Sequence, residues 1–164
     1  MDRLWAPWRL QYVEVPKDQP TGDFIARMDG ETNDRENLVV DRSAHAITIL
    51  NRFPYSNGHL LVSPRRAAAE IEHLTDEELL DTQRQIQRMV SALRKIMNPS
   101  GFNIGLNLGR AAGAGLPEHL HWHIVPRWNG DHNFMTVISD ARIIVQSLDE
   151  VWVRLRRELG LSDK

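Results

Sequence analysis

Residues Glu118 to Trp128 read EHLHWHIVPRW, with histidine at 119, 121 and 123 and an apolar or aromatic residue in each gap. Successive residues of a β-strand point to opposite faces. The spacing therefore predicts a strand over His119–Val125 that sends Leu120, Trp122 and Ile124 into a core and sets three imidazoles on the other face. Residues sharing a strand face stand about 7 Å apart, and three imidazoles so placed cannot all take up a proton without repelling one another. Such a face is expected to be a site, and two chemistries suit it. Zinc accepts three neutral imidazoles and a water, although three ligands in a row need help from a second element, and no HExxH or close Asp/Glu cluster is present. In phosphoryl chemistry, one neutral imidazole attacks phosphorus while its neighbours donate hydrogen bonds to the oxygens that gain charge. Histidine, titrating at about pH 6.5, can do either job in one site. His45, His73 and His132 stand alone and read as structural or solvated.

Upstream, GFNIGLNLG (Gly101–Gly109) alternates in the same way. It predicts a half-buried strand with Phe102, Ile104, Leu106 and Leu108 toward the core and Asn103, Gly105 and Asn107 opposite. Laid beside the histidine strand, it would share a surface with the imidazoles, and Gly105 would leave room for a ligand. The connection GRAAGAGLPE is glycine-rich, and exposed N–H groups in such a loop can cradle phosphate oxygens without net charge. It lacks GxxxxGK[ST], and its GxG precedes a strand instead of opening a helix, so neither a P-loop nor a dinucleotide fingerprint is indicated. A plain hairpin loop is the alternative reading.

The scaffold around these strands is also legible. Thr75 followed by Glu78 is a capping box, flanked by Leu74 and Leu79 as a staple. It opens a helix whose stripe, Leu79, Ile86, Met89, Val90, Leu93, Ile96 and Met97, runs until Asn98-Pro99-Ser100-Gly101 stops it. Ser147 with Glu150 predicts a second helix with Leu148, Val151, Trp152, Leu155 and Leu159 on one side and Gly160 at its end. Leu38–Val40, Ala46–Leu50 and Leu60–Ser63 read as short strands, the last two joined by the turn NRFPYSNG into an antiparallel hairpin. Pro16–Gly22 and Asp29–Asn37 read as loops.

A chain of 164 residues with 41% hydrophobic content suits one domain over residues 1–164: an N-terminal arm (1–22), a core (38–128) and a C-terminal helix (147–160). Twenty Lys plus Arg against 22 Asp plus Glu, net charge -2, give no positive field to hold a nucleic acid. No cysteine is present, which removes disulfides and thiolate metal sites and fits a reducing cytoplasm. MDRLWAPWRL has neither an apolar core segment nor a small-residue cleavage site, and no apolar run approaches a membrane span. The expectation is a soluble cytoplasmic protein that contacts no membrane.

His119-Leu-His121-Trp-His123-Ile-Val matches the histidine triad (HIT) motif, in which three histidines alternate with apolar residues. ILNRFPYSNGHLLVSPRR (Ile49–Arg66), the long helix and NIGLNLGRAAGAG (Asn103–Gly115) resemble the same superfamily in order and spacing. WAPWR near the start and NGDHNFM (Asn129–Met135) are similar to the branch of diadenosine tetraphosphate phosphorylases and related bacterial HIT proteins. The resemblance implies an α+β fold, an antiparallel sheet of about five strands under a long helix, commonly paired into a homodimer. It implies that His121 is the nucleophile that takes up a nucleoside monophosphoryl group, that His123 contacts the α-phosphate oxygens and that His119 orients the site. By the same resemblance Asn51 and His59 belong to the substrate site, Asn51 near the ribose, with Asn107, Gly113 and Gly115 near the phosphates. The implied substrates are dinucleoside polyphosphates, with water or phosphate as acceptor. No tightly bound cofactor is implied, and Mg2+ is expected only in company with the substrate. A nucleoside phosphoramidate or mononucleotide hydrolase, or a nucleotide-binding HIT protein with little turnover, are the other readings.

Two departures from the family pattern stand out. Many relatives hold zinc with a CxxC in the first hairpin and a histidine just after the PxR segment, but here those positions are Gly22, Ile25 and Ala67, so no metal is expected. Relatives that hydrolyse or transfer nucleotides often carry Ser or Thr just before the first histidine, where this chain has Gly115-Leu116-Pro117.

Overall fold

The computed structural model describes residues 22–131 and 144–162. WAPWR, nearly all of the N-terminal arm, His132 and the end of NGDHNFM lie outside the described residues. Five strands, β1 (Val39–Arg42), β2 (Ala46–Leu50), β3 (Leu60–Pro64), β4 (Gly101–Leu106) and β5 (Trp122–Arg127), form one antiparallel sheet in the order β1-β2-β3-β5-β4. The fold is α+β, as expected. The β2–β3 hairpin runs from the Ala46–Pro64 pair to Leu50–Leu60. Its connection needs glycine at 58: φ is +75°, and a Cβ would meet Met97 Sδ at 2.7 Å.

Helix α2 (Asp76–Met97) starts at Thr75, whose hydroxyl accepts from Glu78 N–H while the Glu78 carboxylate accepts from Thr75 N–H. It ends at Asn98 in a left-handed cap. Its buried side, including Ile86, Met89, Ala92 and Leu93, lies across β2, β3 and β5. Helix α3 (Leu148–Glu158) packs on α2 and β1, and its fully buried Trp152 donates Nε1–H to Val39 O at 2.7 Å. No helix among the described residues is long and apolar enough to cross a membrane.

Three features depart from the reading of the sequence. A helix, α1 (Phe24–Gly30), stands between the two expected loops and takes the first two residues, Asp29 and Gly30, of the second. Seven residues with two buried apolar positions, Ile25 and Met28, are too few to show a period. Strand β5 joins the ladder only at Trp122, because Leu120 N–H is taken by Ala68 O (2.8 Å); His119 and His121 lie on the extended approach to it. Ile104, expected in the core, is 47% exposed, since β4 is the sheet edge and α2 covers its neighbours instead.

Candidate active site

The open face of the sheet is set by its register. His123 pairs with Leu61 on one side and Gly105 on the other. A Cβ at Gly105 would meet nothing within 4 Å, so the space beside His123 is open there, as the alternation of β4 implied. The His121 and His123 ring centres are 5.1 Å apart.

Hydrogen-bond partners fix where each ring carries its proton, because carbonyls only accept and amides only donate. His121 Nδ1 lies 3.0 Å from His119 O, so Nδ1 bears the proton and Nε2 keeps its lone pair. His59 Nδ1 receives Tyr55 N–H (3.0 Å) and the Asn51 amide (3.2 Å), so its proton sits on Nε2 and is donated to His123 Nδ1 at 3.0 Å. His123 is left with its own proton on Nε2. The main chain thereby sets both rings: the His119 carbonyl leaves His121 with a lone pair to attack with, and the hairpin loop, through His59, leaves His123 with a hydrogen to donate. The Tyr55 ring stacks over His123 at 5.8 Å.

Burial holds His121 below its usual range, reinforced by charge on His119 and opposed by its bond to His119 O and by Asp23. Burial, with a smaller push from His121, brings His123 to about 4. Both rings are therefore neutral at pH 7.

Of the remaining residues expected in the site, His119 and His59 are fully buried and face no solvent. His59 stands behind His123, and His119 is held by Pro64 O (2.8 Å) and Asp23 (2.7 Å). Asn51 accepts Phe53 N–H (2.9 Å) as well as reaching His59. Asn107 is half-buried just past the Leu106–Trp122 pair, at the end where His121 enters. In the glycine loop, Ala112, Gly113 and Ala114 N–H groups turn inward to the carbonyls of Gly109 and Arg110, leaving Gly115 outside these bonds. Among the described residues, no group of three or more His, Asp or Glu is placed to hold a metal ion.

A cavity of about 380 Å³ adjoins this face, walled by Phe24, Met28, Leu38, Ile49 and Leu61 with Asn51 at its edge. Leu61 is the cross-strand neighbour of His123, which places the cavity beside the triad. Reading the sequence missed this wall and missed Asp23. An aspartate ahead of a short apolar run signals a helix cap, not a partner for a histidine 96 residues on.

The match that decides the family covers residues 32–130, which fit the model described as the HIT domain. The chain belongs to the HIT family. An AP-4-A phosphorylase of Mycobacterium tuberculosis is 41% identical to this HIT protein over 154 residues, covering 90% of this chain and 79% of that one. The asymmetrical bis(5'-nucleosyl)-tetraphosphatase of Schizosaccharomyces pombe is 34% identical over 93 residues, 57% of this chain and 50% of that one. Among solved structures, a Zn-bound histidine triad family protein from Mycobacterium smegmatis overlays with a TM-score of 0.66 at 25% identity, covering 85% of this HIT chain and 94% of that one.

Proposed function

We propose that this HIT protein is a dinucleoside polyphosphate phosphorylase that works through a nucleotidyl-histidine on His121. The proton arrangement carries the reading: His121 Nε2 has a lone pair, and His123 Nε2 has a hydrogen to give. The apolar cavity beside them suits a nucleoside, being within the usual few hundred Å³ of small-ligand sites. His121 Nε2 attacks the α-phosphorus, the P–O bond to the rest of the polyphosphate breaks, and the shortened nucleotide leaves with the bonding pair. His123 donates to an α-phosphate oxygen as charge gathers there. Inorganic phosphate then attacks the same phosphorus, frees His121 and forms a nucleoside diphosphate. Diadenosine tetraphosphate thus yields ATP plus ADP.

Likeness to an AP-4-A phosphorylase over nearly the whole chain supports phosphate as the acceptor. The exposed edge strand β4 with Ile104 supports a homodimer as the working form, and the lack of cysteine supports a cytoplasmic setting. Magnesium enters only with the polyphosphate.

Chromatography of products across a phosphate series tests the acceptor: ADP is expected, and AMP at every phosphate concentration without ADP rejects the phosphorylase. His121→Asn is expected to fold with an unchanged Tm and to lose about 10⁴-fold or more in kcat, while wild-type protein quenched early shows an added nucleoside monophosphate by mass spectrometry. Light scattering tests the dimer against the 18.9 kDa of one chain.

A further inference from the structure

Asp23 belongs to none of the motifs that identify the family, yet its carboxylate does two things at once. Oδ1 accepts Ala26 N–H at 2.9 Å and caps α1, while Oδ2 lies 2.7 Å from His119 Nδ1. The other His119 nitrogen is 2.8 Å from Pro64 O. A carboxylate and a carbonyl are both acceptors, and a neutral imidazole has a single N–H. Satisfying both contacts takes a proton on each nitrogen, so the geometry draws an imidazolium beside a carboxylate.

The place of this pair in the chain matters. Asp23 stands between Gly22 and Ile25, where zinc-binding relatives are expected to carry CxxC, and Ala67, the third such position, adjoins Ala68, whose carbonyl holds Leu120. Gly22, Ile25 and Ala67 have no side-chain donor atom, so these residues do not fit zinc. A carboxylate stands among them instead, bonded to the first histidine of the triad.

We propose that the Asp23–His119 ion pair is a metal-free clasp between α1 and the histidine motif, and that Asp23 is a positioning residue for His121. The inference rests on His121 being the nucleophile. Asp23 holds the His119 ring, the ring fixes its own peptide, and that peptide's carbonyl holds the His121 Nδ1 proton. Phe24, Arg27 and Met28 of α1 line the cavity. One carboxylate therefore registers the wall that receives the nucleoside against the nitrogen that attacks its phosphate.

Asp23→Asn keeps the size and the cap, because asparagine caps helices about as well as aspartate. It removes the charge and leaves His119 with one ring proton. The expected result is a fall of about 10- to 100-fold in kcat, with slower formation of the His121 adduct in a single turnover and a KM within about threefold of wild type. Nitrogen NMR of the unmutated protein should find both His119 ring nitrogens protonated at neutral pH, a readout that needs no variant to fold; Asp23→Asn should leave only Nε2 protonated. Wild-type kcat in folded Asp23→Asn overturns the clasp, as does a singly protonated His119 in the unmutated protein. So does one equivalent of tightly held zinc in the untagged protein. The wild-type adduct separates the two ideas: a normal adduct on His121 with full turnover in Asp23→Asn removes the clasp and leaves the nucleophile, whereas no adduct on His121 removes both.

Discussion

Helices α1 and α2 are attached to the same sheet by the same forces in different proportion, for α2 adds polar anchors, Arg88 and Gln85 on Asp41 (2.6 and 3.0 Å) and Asp81 on Ser43 (2.7 Å), to a much longer apolar face. The 22 residues of α2 bury an apolar stripe against β2, β3 and β5, and its cap is made from its own neighbours. The seven residues of α1 bury only Ile25 and Met28, with Phe24 partly covered, and are otherwise held by polar contacts: Asp23 on His119, Asp29 on Arg42 (3.3 Å) and Arg65 (3.0 Å), and the Met28 carbonyl on Arg42 (2.7 Å). Apolar area is additive and indifferent to small shifts, so α2 mainly supplies stability. Charged hydrogen bonds are directional, so α1 mainly supplies geometry, and α1, unlike α2, contributes to the cavity wall beside β2 and β3.

The sharpest way to break this contrast is to damage each helix in turn. Met89→Ala, at a fully buried position of α2, is expected to cost about 2–5 kcal/mol in denaturant unfolding, with kcat per folded molecule unchanged. A matching loss of kcat would show that α2 also shapes the site. Phe24→Ala on α1 should do the reverse, raising KM about tenfold through lost contact with the nucleoside, worth about 1.4 kcal/mol, while Tm moves little because Phe24 is only partly buried.

Acid should separate the two regions in order. An unfolded histidine binds its proton at about pH 6.5, whereas folded His123 does so at about 4. Between these values the unfolded chain holds more protons, so stability falls as pH drops through that window, and the loss is complete below it. Glu78 at the α2 cap behaves differently: the Arg66 guanidinium holds its carboxyl below the ordinary 4.5. Its contribution is present above that value and is lost as pH falls through the lowered one. His123→Gln should flatten the upper slope of a stability-versus-pH curve and Glu78→Gln the lower. If His123→Gln leaves the upper slope untouched, the burial of that ring is not what sets it. The smallest effect belongs to Lys95, which pairs with Glu158 at 2.7 Å on the exposed seam between α2 and α3. Lys95→Ala should change stability by less than about 1 kcal/mol and kcat not at all.

What could be read in advance follows the same division. The capping box at Thr75, the stripe ending at Met97 and the hairpin of β2 with β3 are local or periodic, and each appeared where the residues placed it. Ile104 was misjudged because alternation says which residues share a face but not whether anything covers it. The alternation of His119, His121 and His123 likewise marked a site without showing that only two of the three line it. Asp23 and α1 were invisible for a further reason: their contacts reach 96 residues along the chain to His119 and 36 to Arg65, and no local pattern encodes a partner that distant.

The connection between Asn51 and Gly58 has a role beyond joining two strands. His59 takes its orientation from a main-chain amide, Tyr55 N–H, which does not give up its proton under ordinary conditions. The line from Tyr55 through His59 to His123 therefore cannot conduct a proton along its length; it can only polarise. If the loop slid far enough to withdraw both Tyr55 N–H and the Asn51 amide from His59, both imidazoles would be free to exchange tautomers, and His123 could turn a lone pair toward the phosphate in place of a hydrogen. The sign of the interaction at the reacting oxygen is thus written in the shape of a loop, and a substitution that merely bends the backbone there could silence the protein with every histidine still in place.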